Sequence, residues 1–163
     1  MHVDALMFRT IVRNLFEPGS WLSPSEATAT IQLLELAAQA EVAPDAEQLA
    51  LLRQLTDHVC VAAGIHADQV MAASPLPLDR EETQAWLDRL TPALGRGARE
   101  LVFVLAYLVI ISNVELAPVE TRFLSALQAT LGLADDRAAE LVARIAELVT
   151  PVETSADGDT AMA

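Results

Sequence analysis

Residues 99–120 read RELVFVLAYLVIISNVELAPVE, and this stretch decides the fold. It holds an unbroken apolar run from Leu101 to Ile111, an acidic corner from Asn113 to Glu115, and a proline, Pro118, suited to the first turn of a new helix. Eleven residues of helix span about 16 Å, whereas a bilayer core needs about 30 Å. Charged and polar residues close both ends of the run: Arg99 and Glu100 before it, Asn113 and Glu115 after it. A helix that is apolar all round and too short to cross a membrane belongs inside a bundle. The spacing therefore predicts a buried central helix at about 97–112.

Outward from this helix the pattern stays helical. Residues 3–16 place Val3, Leu6, Met7, Ile11, Val12, Leu15 and Phe16 at 3–4 spacing, ended by Glu17-Pro18-Gly19. With Arg9 and Arg13 opposite, and Met7, Phe8 and Phe16 in the apolar set, this helix reads as packed on the bundle or lying on a membrane surface. Ser23-Pro24-Ser25-Glu26 is a capping box, with proline at the first helical position. The helix it starts should reach about Gln39 and bury Ala27, Ile31, Leu34 and Ala38. Pro44 opens another, with Leu49, Leu52, Leu55, Val59 and Ala63 as its stripe and Gly64 as its stop.

A short helix around 67–73 and an extended Ser74-Pro75-Leu76-Pro77 linker follow. Asp79 then caps a helix carrying Trp86, Leu87 and Leu90, and Gly95 and Gly97 mark a tight turn. Pro118 opens a helix with Val119, Phe123, Leu127 and Leu131 on one side, broken by Gly132. Asp135 and Asp136 start the last helix, whose apolar positions are Ala138, Leu141, Val142, Ile145, Leu148 and Val149, ended by Pro151. No segment alternates as a strand would. The expectation is one all-α domain over residues 1–150, a bundle of seven or eight helices, followed by a disordered acidic tail at 151–163.

Composition agrees with helices. The 163 residues are 53% hydrophobic but only 4% aromatic, so the core must be aliphatic. Twenty-three acidic residues against ten basic ones give a net charge of −13, and all ten basic residues are arginine. Nucleic-acid binding needs a basic footprint, and Arg96 with Arg99 is a pair, not a patch. The charge instead suits cations, basic protein surfaces or apolar grooves as partners, or simply keeps the chain soluble. The single cysteine, Cys60, excludes an internal disulfide and sits among apolar neighbours as a buried thiol. No signal peptide is evident, because Asp4, Arg9 and Arg13 interrupt the N-terminal apolar pattern. A cytoplasmic protein is the expectation.

Two corners repeat. Glu41-Val42-Ala43-Pro44 and Glu115-Leu116-Ala117-Pro118 are aligned by an offset of 74 residues (118 − 44), which also pairs Leu49 with Phe123. Each corner joins an apolar helix to a proline-started helix, which predicts two stacked helical hairpins. The same residues resemble the TerB-like family, named for tellurite resistance and including the TerB-like domain of DjlA-type co-chaperones. Its corner has the form Asp-Gly-Glu-aliphatic-x-Pro-x-Glu, and its following helix ends Leu-Gly-Leu. The second corner matches as Asn113-Val114-Glu115-Leu116-Ala117-Pro118-Val119-Glu120, with the helix ending Leu131-Gly132-Leu133. The first matches as Gln39-Ala40-Glu41-Val42-Ala43-Pro44-Asp45-Ala46, ending Ala63-Gly64-Ile65. The likeness covers about residues 24–150. Gln39 and Asn113 replace the family's Asp, Ala40 and Val114 its Gly, and Ala46 the first closing Glu.

The resemblance implies an all-helical bundle and a divalent-cation site in the acidic corners. It points to Asn113, Glu115 and Glu120, with Glu41 a weaker member. Hard cations gain from carboxylate charge, so each amide in place of Asp weakens such a site. Glu120 has a purely structural reading as well: at the third helical position it can reach back to the Ala117 N–H and favour the helix dipole. His58, Cys60 and His66 lack zinc spacing. No phosphate loop, nucleophile elbow or zinc helix occurs, so no catalytic residue is assigned. Trp21 reads as a plug at the bundle end or as an anchor for a protein partner. The expectation is a non-enzymatic interaction or scaffold module, with self-association one form of it. A cation-sensing domain and a carrier of apolar ligands between the central helix and its neighbours are the alternatives.

Overall fold

The computed structural model describes residues 3–16, 22–39, 46–66, 68, 80–112 and 118–149. Among these are seven α-helices and no strand: α1 (Ala5–Leu15), α2 (Pro24–Ala38), α3 (Ala46–Ala63), α4 (Arg80–Leu90), α5 (Arg96–Ile111), α6 (Pro118–Leu131) and α7 (Asp135–Val149). A 3₁₀ turn, Thr91–Ala93, links α4 to α5. No helix is long and apolar enough to cross a membrane among the described residues. The 67–73 helix, the 74–77 linker and the tail lie outside the described residues, apart from Asp68.

Local sequence explains the helix ends. Asp4 caps α1 by accepting the Met7 N–H at 2.8 Å. The capping box of α2 is complete: Ser23 Oγ accepts the Glu26 N–H, and Glu26 Oε1 accepts the Ser23 N–H. Gly64 and Gly132 end α3 and α6 at φ of 69° and 72°, a left-handed conformation that costs glycine little.

Two hairpins, α2–α3 and α5–α6, stack with α2 packed along α5. Both inner helices are buried. In α5, Leu101–Ala106 and Leu108–Ile110 are all inaccessible to water. In α2, Ala27, Ala29, Ala37 and Ala38 are buried with Ile31, Leu33, Leu34 and Leu36, so the close partner of the bulky helix is lined largely by small residues. The central layer thus has two helices where the sequence pattern singled out one. Helix α1 packs on α5, where Phe16 occupies the notch left by Gly97: a Cβ there would stand 2.8 Å from the ring. Gly95 is the N-cap of α5 and Gly97 lies within its first turn, so the glycines start a helix as well as end a turn.

Two predicted stripes are shifted. In α3 the buried residues are Gln48, Leu51, Leu55, Val59 and Cys60, while Leu49 is exposed. In α6 Glu120 is buried with Phe123, Leu127 and Leu131, while Val119 is exposed. In both first turns the polar residue faces inward and its aliphatic neighbour outward, because only one direction of each helix meets α5.

Polar ties join the layers. Arg99 donates to three backbone carbonyls, Leu94 O at 3.0 Å, Leu131 O at 2.9 Å and Thr91 O at 3.3 Å, closing the 3₁₀ turn and the end of α6 onto α5. Arg137 of α7 grips both oxygens of the buried Glu100 of α5, with the NH2–Oε1 bond at 2.8 Å. This pairing holds the Glu100 carboxyl below its usual range, against burial that would raise it. Burial raises the Cys60 thiol, consistent with an inert core cysteine.

Because the folded-state pKa of Glu100 is depressed, its pairing stabilises the fold above the ordinary Glu range, and that stabilisation is lost as pH falls through the lower folded value. Arg137→Ala should therefore lower the melting temperature at pH 7, and the gap to the parent should close below about pH 4. Thermal melts of both proteins across pH 3–7 check this.

Candidate functional site

The first turns of α3 and α6 meet at the end of α5. Gln48 sits there with 1% exposure and Glu120 with 1%. Gln48 Nε2 donates at 3.5 Å to Glu120 Oε2 and at 3.5 Å to the carbonyl of Val109. Ser112, the residue ending α5, turns its hydroxyl to the same carbonyl at 2.7 Å. The seam is a buried carboxylate and a buried amide at the carbonyl end of the most apolar helix. A buried carboxyl group is costly without hydrogen-bond partners, and Gln48 supplies one.

Of the residues singled out from the sequence, Glu120 lies in this seam. Asn113, Glu115, Glu41 and Trp21 lie outside the described residues, as does Ala117. Gln39, which stands in the corner where the TerB-like pattern has Asp, keeps its Oε1 buried without a hydrogen-bond partner among the described residues. Gln48 and Ser112 were not singled out. The inward side of the Glu120 turn was the available signal: the 3–4 spacing of Phe123, Leu127 and Leu131 extends back to 120.

No group of three or more His, Cys, Asp and Glu side chains able to hold a metal ion occurs among the described residues. His58 is committed to the fold, with Nε2 2.8 Å from the Val3 carbonyl oxygen and its ring stacked on Phe8. Trp86 carries Arg89 above its ring at 4.8 Å. Chemically, the seam presents an amide, a carboxylate and a hydroxyl.

Comparison with known proteins finds no matching family model, no curated protein and no solved structure that resembles the chain.

The Gln48–Glu120 contact should show as coupling. Gln48→Leu removes a donor from a buried carboxylate and should cost about 1–3 kcal/mol. The Gln48→Leu/Glu120→Leu pair should lose less than the sum of the single losses, by about 0.5 kcal/mol or more. Urea unfolding of the two single variants and the pair measures this.

Proposed function

We propose that this chain is a non-enzymatic helical module of the TerB-like kind, acting as a protein-interaction or scaffold element in a stress-response or membrane-associated system. The observation that supports the interaction role is on the outer face of α1 and α3. The two most exposed large apolar side chains described are Leu6, at 72%, and Val61, at 81%. Their helices are tied side by side through Val3, whose N–H donates to Gln54 Oε1 at 3.0 Å and whose carbonyl meets His58. Val61 follows Gln54 and His58 on the same face of α3, one turn on. Such aliphatics gain free energy when a partner, or a second copy, removes them from water. The TerB-like assignment has its support in the two stacked hairpins, α2–α3 and α5–α6, which follow the order of the two corner motifs.

Leu6→Ser/Val61→Ser should leave the melting temperature nearly unchanged, since neither side chain contributes to the core. It should abolish self-association in sedimentation, or capture of a partner by the parent chain. A double variant that associates as the parent does would overturn this reading.

A second reading, a divalent-cation domain using Asn113, Glu115 and Glu120, draws its support from the buried Gln39 Oε1, without a partner among the described residues, in one corner and the buried Glu120 at the other. Calorimetric titration of the metal-free protein with Ca²⁺, Mg²⁺, Mn²⁺ and Zn²⁺ tests it. The reading expects saturable binding that Glu115→Gln/Glu120→Gln removes; neither heat nor thermal shift with any of the four ions would dismiss it.

A further inference from the structure

Away from the seam, a shallow depression of about 340 Å³ opens between the first turn of α5 and the α6–α7 turn. Arg96, Arg99 and Arg137 line it, with Glu100 as the one carboxylate in the wall and Gly132 to Ala134 along one side. Three of the ten cationic side chains of a chain with net charge −13 therefore share one pocket. Sequence alone joins Arg96 with Arg99; the fold adds Arg137 from 38 residues on (137 − 99).

We propose that this depression binds a small oxyanion, the phosphate group of a monoester or inorganic phosphate, through Arg96 and Arg99. The nearby carboxylates are already engaged. Glu100 and Glu140 hold Arg137, and Glu140 also holds Arg144. Glu26 accepts the N–H groups of Ser23 and Gly95. Asp135 accepts from Gln128 and Asp136 from the Arg137 N–H. Within the lining itself Arg137 is paired with Glu100, and Arg96 and Arg99 are the two other cations.

Arg96 is exposed, and its guanidinium has no hydrogen bond or ion pair among the described residues. Its charge nonetheless reaches the wall, as one of the cations that hold the Glu100 carboxyl down. Arg99 spends three of its five N–H donors on backbone carbonyls and has no carboxylate partner, leaving two donors. Both arginines stand in the first turn of α5, which has no acidic residue of its own, and the one carboxylate bonded at its N-cap is Glu26 of α2, on the Gly95 N–H. Cations at a helix N-terminus oppose the dipole, and an anion placed between them relieves that repulsion. A phosphate dianion matches in charge the two lining arginines not held by Glu100, and its oxygens can take guanidinium N–H groups from both residues.

The test is an ¹⁵N-resolved NMR titration of the full chain with sodium phosphate and, separately, with glycerol 3-phosphate, at constant ionic strength set by chloride. The expected result is saturable shifts centred on residues 95–99 and 131–137. Arg96→Glu should weaken binding roughly tenfold or more, the loss of a charge-assisted contact, while the chain stays folded, because the Arg96 side chain is exposed and makes no hydrogen bond or ion pair among the described residues. Tighter binding of the ester than of the ion identifies a small phosphorylated molecule as the ligand, and equal binding identifies the ion itself. Shifts that do not saturate, that lie elsewhere, or that persist unaltered in Arg96→Glu overturn the proposal.

Discussion

The burial of α5 is the constraint on which the other elements depend. From Leu101 to Ile110 every residue but Tyr107 is buried. No single neighbour can cover such a helix, so α1, α2, α3, α6 and α7 all pack against it. Each of those helices needs only one apolar direction, and that explains their amphipathic composition around an apolar axis. The low aromatic content fits the same arrangement. A core of Leu, Ile, Val and Ala can interdigitate closely around a straight axis, and Ala-rich α2 comes in beside it.

Most of the fold was legible because its signals are local. The Ser23–Glu26 capping box, the stop at Gly64, the break at Gly132 and the 101–111 run each act within a turn or two of helix. What escaped was set by neighbours. Leu49 and Val119 were placed in buried stripes, yet both are exposed, because which side of a first turn faces inward depends on where the next helix lies. Gln48 could not be marked from sequence, since a buried glutamine looks like any surface glutamine until its partner is found 72 residues away. The 3₁₀ turn at Thr91–Ala93 is held by Arg99, a contact from outside its own sequence.

The candidate site was legible only in outline. Glu120 was marked as a member of an acidic corner, and its near-complete burial against Gln48 gives it a packing role that no corner motif conveys. The arginine pocket shows the reverse limit. A strongly acidic chain carries a depression lined by three guanidiniums and one carboxylate because the fold brings Arg137 to Arg96 and Arg99. Net charge describes how the molecule behaves at a distance; within a pocket, the residues that line it decide the sign.

The buried Cys60 gives the bundle an intrinsic clock. It is the chain's one sulfhydryl, its face of α3 is packed against the core, and its raised pKa keeps it protonated at neutral pH. A disulfide reagent in solution can reach it only after α3 lifts from its neighbours, so the labelling rate under native conditions reports how often that happens. Lifting of α3 also carries away the Gln54 and His58 anchors of Val3. The same rate therefore reports on how long α1 and α3 stay clasped, with no engineered residue added to the chain.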